Sequence, residues 1–337
     1  MSRPAPAPRF RSSMTRDMHH PIQRRTFLQL SALATLAGRA QASSLKDIRI
    51  ISPYPAGASV DFWARQLEAQ FSTRLGVDAM VINAPGASGL IAANQARKLS
   101  SDTSPALLIS GTALFSQMPR LPDSGLNFDP NQAFKPVSIL WEEPYFLAVR
   151  ADSPLQSLDD LLQRSRQATS APSLGSAGAN TSGGLLLDHI ARRQHLAWVQ
   201  VPYKGIGEIT TSLLGGHIDA GLVSYQPVRQ LVEAGKVRLL ATTARKRLKS
   251  LPHCPSLREA KVLDIDGSVW FGLFATQELD PAVFDTIQSA TAALLASESF
   301  RAQAQVNGFT PLGLTGSEAR RFLRESHDSW AQVIGGR

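Results

Sequence analysis

The sequence predicts an α/β protein with two lobes, and three observations support this fold class. From Ser44 onward, short apolar runs alternate with stretches of helical periodicity, as strands and crossover helices do in a parallel sheet. Loops of small residues repeatedly follow the apolar runs. The length of 337 residues is sufficient for two domains. With 43% hydrophobic and 18% charged residues, the composition is that of an ordinary globular protein.

The first part of this pattern contains three predicted strands. Ile48 to Ser52 is typical of a buried strand. A helix is predicted from about Ser59, because apolar residues then recur at intervals of three and four until Gly76 provides a stop. The second and third strands are Ala79 to Ile82 and Ala106 to Ser110, with a helix between them. The first two strands therefore lead through loops to helices, and the third ends in a small-residue loop.

The same alternation is repeated after Pro144. The predicted strands of this part are Tyr145 to Arg150, Ser173 to Ser176, Trp198 to Pro202, Ile218 to Ser224, Val237 to Thr243 and Trp270 to Ala275. Three helical stretches follow, near residues 281–296, 297–307 and 317–334. Because the first and last of these strands flank the repeated block, we expect them to mark the crossings between lobes. The predicted lobe 1 is then about 44–142 plus 268–337, and lobe 2 is about 143–267.

Four loops of small residues occupy equivalent positions in this pattern. They are residues 53–59, 84–89, 111–113 and 177–184, and each follows the carboxyl end of a predicted strand. In open α/β sheets, ligands bind at that edge. Free backbone N–H groups and helix dipoles make such turns suitable for anions, and small residues allow a ligand to approach the backbone. A single loop of this kind is more simply a tight turn, but four together indicate an anion site between two lobes.

The N-terminal residues 1–42 have the pattern of an export signal. Arg24 and Arg25 precede an apolar segment from about Leu28 to Gly38, which is too short to span a bilayer, and an A-x-A-like cleavage site ends near Ala42. The paired arginines followed by Phe-Leu favour the twin-arginine route over ordinary secretion. We therefore expect a periplasmic protein with the signal removed near Ala42.

Charge and cysteine content exclude several classes of protein. The formal charge of +8 is concentrated in residues 1–42, which hold seven basic residues and one acidic residue. The rest of the chain has 28 basic and 26 acidic residues and carries about +2, so nucleic-acid binding is not expected. Cys254 is the single cysteine, which excludes an intrachain disulfide and a cysteine zinc site.

Longer motifs at these loops resemble a known family. The strongest are PYPAGASVDFWAR from Pro53, NAPGASGLIAANQARK from Asn83, GSAGANTSGG from Gly175, VPYKGIGE from Val201 and LLGGHIDAGL from Leu213. Their order and spacing resemble the Bug-type solute receptors of tripartite tricarboxylate transporters, and weaker matches extend the resemblance over the chain after Ser44. The resemblance implies a two-lobed, periplasmic-binding-protein-like fold of type II style, with a hinge and a ligand cleft between the lobes.

The resemblance also implies the function and the site. The expected protein is a monomeric extracytoplasmic receptor without cofactor or metal. It captures a dicarboxylate, an acidic amino acid or a related acid for the permease subunits of such a transporter, or for a signalling system. The implied ligand-binding residues are Tyr54, Ala56, Gly57, Ala58, Ser59, Asp61, Gly86, Ala87, Ser88, Ser176, Gly178, Ala179, Asn180, Thr181, Tyr203 and Lys204.

A secreted α/β enzyme on a similar scaffold is the alternative. Seven histidines are scattered without metal-ligand spacing, and Cys254 beside His253 lies in a segment that is only a connecting loop in the family. The loop at residues 83–89 lacks the spacing of a dinucleotide site. No catalytic constellation was found, and we therefore expect a protein that is not an enzyme.

Two side chains have a second interpretation, which the sequence leaves open. Asp61 contacts ligand or favours the start of its helix, and Lys204 pairs with ligand or is solvated on a turn. The turns at 56–59, 86–88 and 178–181 contain no Lys or Arg. We therefore predict that backbone N–H groups hold the acid more than any basic side chain does.

Overall fold

The computed structural model describes residues 45–122 and 124–335, and its strands form two separate sheets. The predicted export signal lies outside these residues. The first sheet has six strands in the order β11-β4-β10-β3-β1-β2, and the second has five in the order β7-β6-β8-β5-β9. No helix in the described part of the chain is long and apolar enough to cross a membrane.

The first sheet combines strands from both ends of the described chain. Its strands are β1 (Asp47–Ser52), β2 (Asp78–Asn83), β3 (Ala106–Gly111), β4 (Phe134–Glu143), β10 (Val269–Thr276) and β11 (Thr310–Leu314). β1 pairs in parallel with β2 and β3, whereas β10 runs antiparallel to β3 and β4, and β11 runs antiparallel to β4. The prediction of a parallel sheet was therefore wrong for this part, because a returning strand is inserted between β3 and β4.

The second sheet repeats this arrangement with strands contiguous in sequence. Its strands are β5 (Tyr145–Arg150), β6 (Ser173–Ser176), β7 (Val199–Pro202), β8 (Ala220–Ser224) and β9 (Val237–Thr242). β6 pairs in parallel with β7 and β8, and β5 runs antiparallel to β8 and β9. Both sheets are mixed, with a parallel part built from βαβ units.

The helices connect these strands close to the predicted bounds. They are α1 (Ser59–Leu75), α2 (Leu90–Leu99), α3 (Pro130–Ala133), α4 (Leu158–Ser165), α5 (Ser182–Gln194), α6 (Ile206–Leu214), α7 (Tyr225–Glu233), α8 (Pro281–Ala296), α9 (Glu298–Val306) and α10 (Gly316–Ile334). A π-helical turn at Ala113–Gln117 follows β3. The sequence patterns did not indicate this turn, α3, β4 or β11.

Hydrophobic side chains cover both faces of the first sheet. Ile48 and Ile50 of β1 belong to one core cluster with Trp63, whereas Ile51 belongs to a second cluster with Phe115. This alternation follows the period of two in a strand. Burial on both faces explains why the strands are apolar runs without polar alternation.

The chain passes from the first sheet to the second within one residue. β4 ends at Glu143 and β5 begins at Tyr145, with Pro144 between them. The return crossing lies between β9, which ends at Thr242, and β10, which begins at Val269. Both transitions fall near the predicted crossings, and the lobe boundaries themselves stay a prediction.

The last helix, α10, contacts the cores of both sheets. Ala319 and Phe322 pack in the cluster that lies against the first sheet. Trp330 and Val333 belong to the core of the second sheet, and Arg192 on α5 donates a hydrogen bond to the carbonyl of Val333 at 2.9 Å. The helix thus lies along both lobes of the predicted division.

Candidate functional site

The loops that follow β1, β2 and β3 lie at one edge of the first sheet. Because these strands are parallel, their carboxyl ends meet at that edge. Residues 53–58 follow β1, residues 84–89 follow β2, and the π-helical turn follows β3. The fold therefore brings together three of the four predicted loops.

Asp61 holds the first two loops together. Its side chain is buried, with Oδ2 accepting hydrogen bonds from the Gly57 N–H at 2.9 Å and from Arg65 Nε at 3.1 Å. Oδ1 accepts from Nδ2 of Asn83 at 2.8 Å, and the same amide donates to the carbonyl of Tyr54 at 2.9 Å. Both carboxylate oxygens are thus occupied by the protein, which indicates a positioning residue.

The pKa of Asp61 agrees with this network. Burial acts to raise it, but the hydrogen bonds from Asn83, Gly57 and Arg65 outweigh that effect and lower the pKa below its usual value. The side chain is therefore an anion that the loop needs for its shape.

The N-terminus of α1 is open. Ala58 is the N-cap and provides no side-chain hydrogen bond, and the N–H groups of Ser59 and Val60 have no partner among the described residues. The N–H groups of Gly57 and Ala58 are already used, by Asp61 and by the carbonyl of Pro55. Of the predicted donors in this loop, those at the start of the helix are available to an anion.

The turn after β2 has a left-handed backbone over four residues. The φ angles of Gly86, Ala87, Ser88 and Gly89 are 121°, 46°, 51° and 97°. Left-handed conformation costs energy at Ala87 and Ser88, and such strain is concentrated at functional sites. Gly86, Ala87 and Ser88 are exposed, so the turn is accessible to a ligand.

The fourth loop lies between β6 and α5 in the second sheet. Thr181 is the N-cap of α5: its Oγ1 accepts from the Gly184 N–H at 3.3 Å and donates to the carbonyl of Gly178 at 2.7 Å. Ser176 is buried and accepts a hydrogen bond from Gln200 at 2.8 Å. A Cβ at Gly184 would lie 2.2 Å from the carbonyl oxygen of Gly178, so the loop folds directly onto the helix.

Of the predicted site residues in this loop and in the loop after β7, three are exposed: Ala179, Asn180 and Lys204. Ala179 and Asn180 are exposed and make further interactions, whereas Gly178 is half-buried with φ of 119°. Tyr203 is half-buried and its N–H donates to the carbonyl of Ser176 at 2.8 Å. Lys204 is exposed, and its N–H donates to Glu208 at 3.0 Å.

One direct hydrogen bond connects the two groups of loops. Nε2 of Gln117, in the π-helical turn after β3, donates to Oγ of Ser182 at 2.8 Å, and both side chains are buried. Ser182 is the first residue of α5 and lies within the predicted loop 177–184. The sequence patterns missed this pair, because a glutamine in an irregular turn has no motif of its own.

A buried acid lies beside this contact. Glu143, the last residue of β4, is buried, and burial raises its pKa to about 7, opposed in part by a hydrogen bond with Ser224. Burial and the nearby Glu143 raise the pKa of Tyr54 and of Tyr145, and Tyr145 also has a side-chain hydrogen bond with Ser182. The base of the candidate site is therefore a cluster of two neutral tyrosine hydroxyls and a carboxyl group that is only partly ionised near pH 7.

The described residues provide no metal centre. No group of three or more His, Cys, Asp or Glu side chains that could hold a metal ion occurs in residues 45–122 and 124–335. Cys254 is buried, and burial raises the pKa of its thiol to about 12. A thiol with that pKa is protonated at neutral pH and is a poor nucleophile.

Comparison with known proteins identifies the family. A model described as the tripartite tricarboxylate transporter family receptor matches residues 63–337. BugT of Bordetella pertussis (strain Tohama I) is 27% identical over 293 residues, covering 86% of this chain and 88% of BugT. A protein encoded in the gbd 5′ region of Cupriavidus necator is 29% identical over 301 residues, covering 87% of this chain and 89% of that protein.

Solved structures share the fold. A ligand-free TctC solute binding protein from Polaromonas superposes with a TM-score of 0.70 at 25% identity, covering 87% of this chain and 99% of that chain. Rpa4515 of R. palustris, solved with adipate, superposes with a TM-score of 0.76 at 25% identity, covering 86% and 97%. The predicted fold class and the resemblance are confirmed. Because this family model matches residues 63–337, from α1 to the end of the chain, the chain belongs to the tripartite tricarboxylate transporter receptor family.

Proposed function

We propose that this protein is an extracytoplasmic receptor that binds a small organic carboxylate between its two lobes. The observation that carries the proposal is the pair of loop groups joined by Gln117 and Ser182 at 2.8 Å. The adipate in the similar structure of Rpa4515 supports a dicarboxylate or a related acid as ligand. The proposed site comprises the residues that the resemblance implied, with Asp61 as a positioning residue and not a ligand contact, together with Gln117 and Ser182.

The backbone supplies the proposed recognition. The start of α1 has uncapped N–H groups, and the strained turn at 86–89 is exposed. A charge at a helix terminus gains about 0.3–1 kcal/mol when exposed and up to about 2 kcal/mol when partly buried. The start of α1 and the turn at 86–89, side by side at one edge of the first sheet, therefore provide affinity for a carboxylate without a basic side chain. Lys204, being exposed, contributes less.

Ligand binding is tested first with the unchanged protein. Adipate, malate and related acids are screened by thermal shift and then by calorimetry. A ligand at about 100 times its Kd stabilises the native state by about 2.7 kcal/mol. The bound acid is recovered chemically unchanged after prolonged incubation, whereas its conversion to product would contradict the receptor and favour an enzyme.

Ala179 provides the test of the site. It is exposed in the loop before α5 and does not have a positive φ. Ala179→Asp places a like charge against the ligand and weakens binding by about 100-fold, because like charges in contact cost several kcal/mol. Ala179→Asn has nearly the same shape and retains most of the affinity. Equal affinity of both variants and the wild type would contradict the proposed site.

The contribution of Lys204 is tested in the same assay. We expect Lys204→Ala to weaken binding by less than about tenfold, as for a solvated charge. Abolished binding in this variant, with Ala179→Asp still binding, would show that a side-chain cation holds the acid.

Export through the twin-arginine route is part of the proposal. Arg24 and Arg25 directly precede the apolar segment, and a similar structure is described as a periplasmic transporter. Replacing both with lysine blocks the appearance of the mature protein outside the cytoplasm if this route is used. Normal export of the double variant would assign it to ordinary secretion.

The proposed partners are the acid itself and the membrane permease of a tripartite tricarboxylate transporter. We propose that the receptor acts as a monomer, because each chain provides both groups of loops. Light scattering during size-exclusion chromatography gives the mass of a single chain. A stable dimer whose dissociation abolishes ligand binding would contradict this.

A further inference from the structure

A cavity lies where the chain crosses between the sheets. Its volume is about 620 Å³, within the range of small-molecule sites. Glu142 and Pro144 line it from the first crossing, and Asp266 and Ser268 line it just before β10. The other walls are residues 244–250, which follow β9, and residues 301–311, which include the end of α9 and the start of β11. We call this space the crossing cavity.

The crossing cavity is lined by five basic side chains. Arg245, Lys246, Arg247 and Lys249 come from one wall, and Arg301 on α9 comes from the other. All five residues are exposed. None of them belongs to the loops of the proposed carboxylate site, which contain no such concentration of positive charge.

Only two of the five cations are paired with carboxylates in the described chain. Nε of Arg247 is 2.8 Å from Glu259, and Nε of Arg245 is 3.7 Å from Asp266. Lys246, Lys249 and Arg301 have no carboxylate within 4.0 Å among residues 45–122 and 124–335. Unpaired cations thus face the cavity from two walls.

Apolar side chains accompany these charges. Leu248 and Phe309 line the cavity from opposite walls, and Pro144 and Pro311 extend this apolar surface. Burial, with the neighbouring Asp266, raises the pKa of Glu142 to about 7, so this acid is partly neutral near pH 7 and repels an anion less. The lining suits an anion that also has an apolar body.

We propose that the crossing cavity is a second binding site, which takes an organic anion with two or more negative charges on an apolar framework. Lys246 and Lys249 bind its charges from one side and Arg301 binds from the other. One wall, residues 244–250, follows β9 of the second sheet, and the other, residues 301–311, leads into β11 of the first sheet. The ligand therefore contacts both sides of the crossing. A ligand that binds one arrangement of the lobes better than another shifts the population towards it.

The test uses benzene-1,3,5-tricarboxylate as probe and pyrophosphate as a comparison without an apolar body. Calorimetry at neutral pH measures the affinity of the exported, mature protein for each. We expect tighter binding of the aromatic acid. We expect Arg301→Gln and the double variant Lys246→Gln, Lys249→Gln each to weaken it by about tenfold or more, because hydrogen bonds to charged groups are among the stronger ones.

Two control variants separate this site from general charge and from the proposed carboxylate cleft. The double variant Lys236→Gln, Lys261→Gln removes two exposed lysines outside the cavity and retains the affinity of the wild type. Ala58→Asp, in the carboxylate cleft, also retains it. The proposal would be overturned if the aromatic acid did not bind, or if the cavity variants kept the affinity of the wild type. It would also be overturned if the lysine control lost as much affinity as the cavity variants, or if Ala58→Asp lost affinity. These outcomes do not depend on whether the cleft binds a carboxylate.

Discussion

At the scale of single residues, two buried carboxyl groups have opposite roles. Asp61 accepts three hydrogen bonds, from Gly57, Arg65 and Asn83, and is stabilised as an anion. Glu143 is buried beside Tyr54 and Tyr145, with a hydrogen bond from Ser224 alone opposing the effect of burial. The difference arises from the number of donors around each carboxylate. One charge holds the loops in place, and the other group is a weak acid at the base of the candidate site.

Glu143 makes stability depend on pH. Its pKa is about 7 in the folded protein and about 4.3 in an unfolded chain, so the folded state binds more protons between these values. The free energy of unfolding therefore falls as pH rises from about 4.5 to about 7 and is level above that. Glu143→Gln stays neutral at every pH. The free energy of unfolding of this variant, relative to that of the wild type, therefore increases by up to about 3 kcal/mol between pH 5 and pH 8.

Urea unfolding of both proteins at the two pH values measures this gain. The exposed Glu278→Gln is the control for losing one carboxylate. A constant difference between Glu143→Gln and the wild type at pH 5 and pH 8 would show that Glu143 is ionised in the folded protein.

Asp61 is expected to contribute to stability through its network. Asp61→Ala leaves the side-chain amide of Asn83 and the Gly57 N–H without this acceptor, and we expect a loss of about 1–3 kcal/mol in the free energy of unfolding. Asp285→Ala, at an exposed position of α8, is the matched control and changes stability by less than about 0.5 kcal/mol. Equal stability of the two variants in urea would contradict the positioning role.

At the scale of elements, the helix starts differ in how they are capped. Ser157 and Asp160 form a capping box at α4, and Asp280 accepts hydrogen bonds from two N–H groups at the start of α8. α1 is the contrasting case, because Ala58 has no side chain that could accept. The helix beside the proposed ligand is thus left with N–H groups that a carboxylate can use.

Ala58 allows stability and binding to be separated. Asn and Asp are both good N-caps, so each is expected to stabilise the free protein by about 0.5–2 kcal/mol. The stabilisation by Asp is the smaller of the two, because its carboxylate is repelled by that of Asp61 one turn away. Ala58→Asn retains much more affinity for the acid than Ala58→Asp, whose charge repels it. Thermal melts and calorimetry measure both effects. A stabilised Ala58→Asp that binds the acid as the wild type does would exclude this helix start from the site.

At the scale of the whole molecule, α10 joins the two cores. Trp330 is 2% exposed and lies in the core of the second sheet. Phe322, on the same helix, packs against Trp270 of the first sheet. The helix provides a contact between the cores in addition to the two crossings of the chain.

Truncation of Trp330 is therefore expected to be costly. Trp330→Ala lowers the free energy of unfolding by about 3–5 kcal/mol, as for other buried aromatic residues, whereas Trp330→Phe preserves most of the buried area and loses less. Urea unfolding at neutral pH measures both. A loss below about 1 kcal/mol for Trp330→Ala would mean that the end of α10 does not depend on the second core.

The sequence by itself determined the α/β class, the family, and nine of the eleven described strands, with most of the longer helices, near their observed bounds. These features follow from local periodicity and from turns of small residues, such as the stop at Gly76 and the loop at 177–184. The tertiary structure alone decided that β10 is inserted antiparallel beside β3, and that Gln117 reaches Ser182. It also decided that Glu143 is buried, that Asp61 binds its own loops, and that the cations of residues 245–249 line one cavity with Arg301. Such pairings join residues far apart in the chain, and their energies depend on burial and donor geometry, which periodicity along a chain does not encode.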